Sequence, residues 1–180
     1  MKAIVIGIGN LLFKDEGVGP LAALYLKANY RFTPPLEVMD GATLGFKLLP
    51  YLQEYDHIII LDTVSIEDDP GSLYVLPRQA LLDLGEYRKT AHEVEVVQMM
   101  EMASFLETPS EVTVIGIVPE DIESVAIDLS PTLRQKLPEL IDQTLKTAAS
   151  LGFEAKRVAD HTLEEVIETV SSPSTAKEIF

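Results

Sequence analysis

Three short runs of this chain are apolar almost without interruption: Lys2-Ala3-Ile4-Val5-Ile6-Gly7, His57-Ile58-Ile59-Ile60-Leu61-Asp62, and Glu111 to Val118. A strand with one wet face alternates apolar and polar residues, whereas a continuous β-branched run suits a strand covered on both faces. Such strands belong to parallel sheets, which need helices on each side, and the intervening segments supply them. A helical pattern begins near Gly17, with Pro20 in the first turn where a missing donor costs little, and with Leu21, Leu24 and Leu26 as its apolar side. Thr43 can cap a helix through Leu44, Leu48 and Leu52. Thr90-Ala91-His92-Glu93 matches a capping box ahead of a helix from Val94 to Phe105. Ser130-Pro131 opens another to about Leu151. Leu36 to Asp40 is a further short strand turned by Gly41, and Gly71 to Leu76 one more, at an edge. The expected fold is a three-layer α/β/α sandwich with a largely parallel, twisted sheet of about five strands. Residues 1–157 form its single domain. Residues 158–180 are a C-terminal appendage whose stripe of Leu163, Val166, Ile167 and Val170 either packs on the domain or frays.

Composition narrows the function. With no cysteine among 180 residues, disulfides, thiolate metal sites and a cysteine nucleophile are excluded. A formal charge of −15 opposes binding to nucleic acid, whose affinity comes from Lys and Arg neutralising phosphates, and to anionic membranes. The apolar runs are too short to span a bilayer, and Lys14, Asp15 and Glu16 interrupt any signal-like segment, so a cytoplasmic protein is expected. Protein partners and cations remain as binding objects.

Ligands of an open parallel sheet bind outside the carboxyl ends of its strands. Asp40 and Asp62 end strands, Glu16 lies on the loop after the first strand, and His92 starts a helix. Glu16, Asp62 and His92 make an oxygen, oxygen and nitrogen set able to hold a divalent transition metal. Each has a plainer role open to it. Glu16 can complement a helix dipole, worth about 0.3–1 kcal/mol; Asp62 and Asp40 can satisfy turn donors; His92 can be a surface residue, as His57 and His161 are expected to be structural. Gly7-Ile8-Gly9 fails as a dinucleotide fingerprint because Leu12 stands where the third glycine belongs, and Asp15 and Glu16 would face a pyrophosphate. No G-x-S-x-G elbow and no H-E-x-x-H helix is present.

In combination these motifs resemble a known family. Gly7-Ile8-Gly9-Asn10-Leu11-Leu12 followed by Asp15-Glu16-Gly17-Val18-Gly19 is similar to the opening signature of the nickel–iron hydrogenase maturation endopeptidases. Asp40-Gly41-Ala42-Thr43-Leu44-Gly45 resembles their second motif, Asp62 their strand-end aspartate, and His92 their helix-start histidine. Gly116 to Glu120 and Leu129 to Thr132 resemble their last strand and helix, so the likeness covers about residues 1–157. Two positions depart: Ala42 replaces a usual glycine, and Glu93 stands where glutamine is common. The resemblance implies a peptidase; a phosphorylase/hydrolase-like fold and a monomer are expected. Its substrate would be the precursor of a hydrogenase large subunit, from which it removes a short C-terminal extension after nickel insertion. It further implies that Glu16, Asp62 and His92 contact a nickel ion supplied by the precursor, with no tightly bound intrinsic metal. Asp40 would matter for cleavage, either as general base in an aspartic-type reaction or beside a nickel-activated carbonyl or water. A non-catalytic nickel carrier for hydrogenase assembly would use the same three ligands. A nucleotide-binding module is the weakest alternative.

Overall fold

All six residues of the first strand, β1 (Ala3–Ile8), are buried, as a run apolar on both faces requires. A computed structural model of the chain describes residues 1–43, 45–83, 101 and 110–172. After β1 a 3-10 turn, Lys14–Gly17, leads into α1 (Val18–Asn29), followed by β2 (Tyr30–Thr33) and β3 (Glu37–Ala42). Next come α2 (Tyr51–Glu54), β4 (His57–Thr63), β5 (Leu73–Pro77) and α3 (Arg78–Asp83). Beyond these lie β6 (Glu111–Ile117), α4 (Pro131–Ser150), β7 (Glu154–Arg157) and α5 (Leu163–Ser171).

Five strands form the central sheet in the order β3-β1-β4-β6-β5. β3, β1, β4 and β6 run parallel, and β5 closes one edge antiparallel to β6. The other edge is β3. Alternate residues of each strand feed two separate cores, as the two-residue period of a strand demands. Val5, Ile59, Leu61 and Ile115 pack with α1, α4 and α5. Ile4, Ile6, Ile58, Ile60, Val112 and Val114 pack with Leu48, Leu52 and Tyr55 on the opposite face. The expected three-layer α/β/α architecture is the observed one.

Two local features differ from expectation. The helix expected from Thr43 through Leu52 is instead a 3-10 turn, Gly45–Leu48, and the single-turn α2. Pro50 separates them: it has no amide hydrogen to continue the first helix and disfavours helical geometry at Leu49, yet its carbonyl opens α2 by accepting from Gln53 and Glu54. The second is a small antiparallel sheet of β2 and β7, pairing Tyr30 with Arg157 through Thr33 with Glu154. The capping box Thr90–Glu93 and the helix expected from Val94 to Phe105 lie outside the described residues, apart from Glu101.

The segment after β7 is tied to the domain. The buried Asn29 side chain accepts from the His161 amide at 2.6 Å and donates to the His161 carbonyl at 3.1 Å, fixing the end of α1 to the approach of α5. Thr162 caps α5 by accepting from the Glu165 amide at 3.2 Å, and Leu163 and Val166 enter the α1-side core.

Candidate active site

The register of the parallel strands places the candidate residues along one rim. Gly7 pairs with Asp40 on one side and with Leu61 on the other, so Asp40 and Asp62 lie one residue apart in height with β1 between them. Two strand spacings separate their α-carbons by roughly 10 Å. The pleat then sends them in opposite directions. Asp40 shares its face with Gly7 and Leu61, towards α1, whereas Asp62 pairs with Gly116 on the α2 face, where Val64 fills the space a Gly116 side chain would take.

Asp62 is 5% exposed, and its Oδ1 accepts from the Thr63 amide at 2.7 Å. Asp40 is half-buried; its Oδ1 accepts from the Ala42 amide at 2.8 Å, an Asx-type turn within the last residues of β3. The pairing with β1 slips at this point, from Gly7 opposite Asp40 to Ile8 opposite Ala42, leaving Gly41 as the extra residue of a bulge. Ala42 takes φ +44°, the left-handed region, and its carbonyl accepts from the Gly9 amide at 2.8 Å. The departure from the family's glycine therefore falls where a glycine would be relaxed.

Glu16 sits half-buried in the 3-10 turn that carries the chain from β1 to α1 and packs against β4. Two glycines let the turn come so close. A Cβ on Gly19 would collide with the carbonyl oxygens of Ile8 and Leu61, so the start of α1 rests directly on the ends of β1 and β4. Gly9 adopts φ +147°, and a Cβ there would strike the Glu16 carbonyl.

From the other side the turn is held by Asp15, which is completely buried. Its Oδ2 accepts from the amides of Glu120 (3.0 Å) and Asp121 (2.9 Å) and from the Ser130 hydroxyl (2.8 Å), and its Oδ1 from the Ser130 amide (2.7 Å). Ser130 in turn caps α4. Backbone bonds reinforce the attachment: Asp15 N–H to the Asp121 carbonyl at 2.9 Å, Lys14 N–H to Ala126 at 3.0 Å, and Ala126 N–H to Leu12 at 2.9 Å. Asp121 is itself fixed. The Ser124 hydroxyl, then the amides of Ser124 and Glu123 and the nearby Lys14, hold its carboxyl well below the usual carboxylate range. The sequence gives Asp15 no role beyond opposing a pyrophosphate; its partners lie 105 to 115 residues further on and are mostly backbone amides.

Glu16, Asp62 and Asp40 thus lie around one rim, while the third expected ligand, His92, lies outside the described residues. Among the described residues no three His, Cys, Asp or Glu side chains are grouped to hold a metal ion. Two carboxylates on the rim are hard oxygen donors that an imidazole can complete into a mixed site for a borderline divalent metal. Asp40 starts from the opposite face of the sheet. His57 and His161 serve elsewhere: His57 Nε2 lies 2.9 Å from Thr113 Oγ1, and His161 Nδ1 2.7 Å from Glu165.

The family profile described as hydrogenase maturation protease matches residues 21–147. The hydrogenase 2 maturation protease of Escherichia coli (strain K12) is 30% identical over 157 residues, covering 86% of this chain and 95% of that protein. The hydrogenase expression/formation protein HoxM of Azotobacter vinelandii is 32% identical over 166 residues, 87% of this chain and 80% of its own. Among solved structures, the hydrogenase maturating endopeptidase HybD from E. coli matches with a TM-score of 0.81 at 29% identity, covering 89% of this chain and 100% of that one. Sequence and fold agree: this chain belongs to the hydrogenase maturation protease family, and with it to the peptidases.

Proposed function

We propose that the protein removes a short C-terminal extension from the nickel-loaded precursor of a nickel–iron hydrogenase large subunit, using the substrate's nickel as the signal to cut. The observation carrying this reading is the placement of Asp40 across the rim from Asp62, on the opposite face of the sheet. Glu16, Asp62 and His92 meet the nickel that arrives with the precursor, and the scissile peptide then lies over β1 towards Asp40. Asp40 takes the proton of the attacking water as it adds to the carbonyl carbon and returns it to the departing amine. A positioned general base of this kind contributes about 10²–10⁴-fold.

The test is cleavage of nickel-loaded and nickel-free precursor by the wild type, His92→Ala and Asp40→Asn, followed by mass spectrometry. Nickel-dependent shortening is expected, reduced in both variants. Equal cleavage of the nickel-free precursor would refute nickel recognition. Full activity of Asp40→Asn with an inactive His92→Ala would move proton transfer to a nickel-activated water. A precursor of unchanged length, with nickel passing to this protein, would identify a carrier instead.

A further inference from the structure

Resting on that proposed substrate, we infer that the outer edge of β3 is the docking track for the precursor, whose extended segment adds to the sheet as a sixth strand and is led along it to Asp40. β3 ends the sheet; among the described residues no strand pairs with its outer side. A groove of about 480 Å³ runs there, lined by Lys27, Arg31, Phe32, Pro35, Val38 and Met39 among others. Val38 packs into the α1-side core and Met39 into the α2-side core, yet both line the groove. A groove bordered by neighbouring residues of opposite faces follows the strand edge itself. An extended peptide laid in it meets a row of backbone donors and acceptors, the requirement for strand addition. The same strand carries Asp40, so docking and cutting lie on one continuous element.

Charge selects the occupant. In a chain of formal charge −15 the groove gathers two cations and one acid. The acid, Glu37, is engaged by the Tyr55 hydroxyl on the α2 face. Arg31 Nη1 donates to the carbonyls of Lys27 and Tyr30, each at 2.8 Å, and neither Lys27 nor Arg31 has a carboxylate partner among the described residues. A second copy adding through the same edge would bring these cations against their own counterparts, which costs rather than stabilises. The complementary guest is an extended segment carrying an acidic side chain away from the scissile bond and an apolar one opposite Phe32 and Val38.

Two measurements on the full chain test this. In hydrogen exchange, Asp40→Asn is mixed with nickel-loaded precursor, and the amides of the Glu37 to Met39 stretch that face away from β1 are expected to gain protection. In cleavage kinetics, Lys27→Glu with Arg31→Glu is expected to raise KM by about tenfold with kcat within about twofold, because rim charges act on encounter and docking. Unchanged edge exchange together with unchanged KM overturns the inference. So does an edge already protected in the free protein, which would mean the chain's own tail, or one protected only as its concentration rises, which would mean a second copy. Edge protection without any cleavage would refute the peptidase reading while leaving the docking track in place.

Discussion

Asp15 holds the turn that presents Glu16, and Asp15→Ala tests this directly. The substitution strips the acceptor from four donors, the amides of Glu120, Asp121 and Ser130 and the Ser130 hydroxyl. A buried donor left without a partner costs about 1–3 kcal/mol. The Ser130 hydroxyl can rotate, and the Glu120 and Asp121 amides are only partly buried, so water recovers some of the loss. The low end of the range applies, giving a destabilisation of about 3–5 kcal/mol. With a urea dependence of about 2 kcal/mol per molar, the unfolding midpoint should fall by roughly 2 M. Asp15→Asn separates the two physical accounts of this residue. If Asp15 merely complements the dipole of the helix that follows, both variants cost less than about 1 kcal/mol. If it latches the segment 119–130, an asparagine oxygen can keep the three donors at the Oδ2 position while its amide turns a donor towards the Ser130 amide, so Asn costs less than Ala but more than about 1 kcal/mol. A midpoint shift equivalent to less than about 1 kcal/mol in both variants would refute the latch. A cycle with Ser130→Ala adds an internal check, since a shared network must show coupling between the two sites.

Two further outcomes follow from the local chemistry. Ala42→Gly should stabilise the protein by about 0.5–1 kcal/mol, because relief of the left-handed φ at Ala42 exceeds the extra chain entropy of glycine; a lower urea midpoint would contradict it. His57 is held below its ordinary pKa by burial, against a smaller upward pull from Glu111. The unfolded chain therefore takes up a proton near pH 6.5 that the folded chain resists, and stability should fall as the pH drops from about 7 through 6. His57→Gln should flatten that slope, and equal slopes in both proteins would show that another group is responsible.

How much of this was legible beforehand depends on where the determining contacts lie. β1 and β4 announce themselves because burial on both faces leaves a local mark, an unbroken apolar run. Asp40 and Asp62 are visible near the ends of two strands, although β3 runs on to Ala42 and β4 to Thr63. Their opposite faces are not, since that follows from the register of each strand with Gly7, which no stretch of sequence encodes alone. The β2–β7 sheet escapes for a different reason: Glu154 to Arg157 are all exposed, so no periodicity marks them as a strand. The helix after Thr43 fails because an apolar stripe at helical spacing outweighed Pro50, whereas the backbone obeys the proline. The stripe survives as packing, with Leu48 and Leu52 both in the α2-side core.

Asp15 and Glu16 show how adjacent, chemically similar residues acquire separate tasks. A 3-10 turn advances about three residues per turn, so successive side chains leave it about a third of a revolution apart. One carboxylate points into the protein and is consumed by four donors; the next lies half-buried at the rim. Asp15 is fully buried and its oxygens are already engaged by four donors, three of them backbone amides. The buried acid is in effect the anchor of the rim acid. Because that anchor reaches Ser130, the first turn of α4 and the 3-10 turn carrying Glu16 form one hydrogen-bonded unit. A substitution at Ser130, remote in sequence from Glu16, should therefore act on the rim through Asp15 rather than through α4 alone.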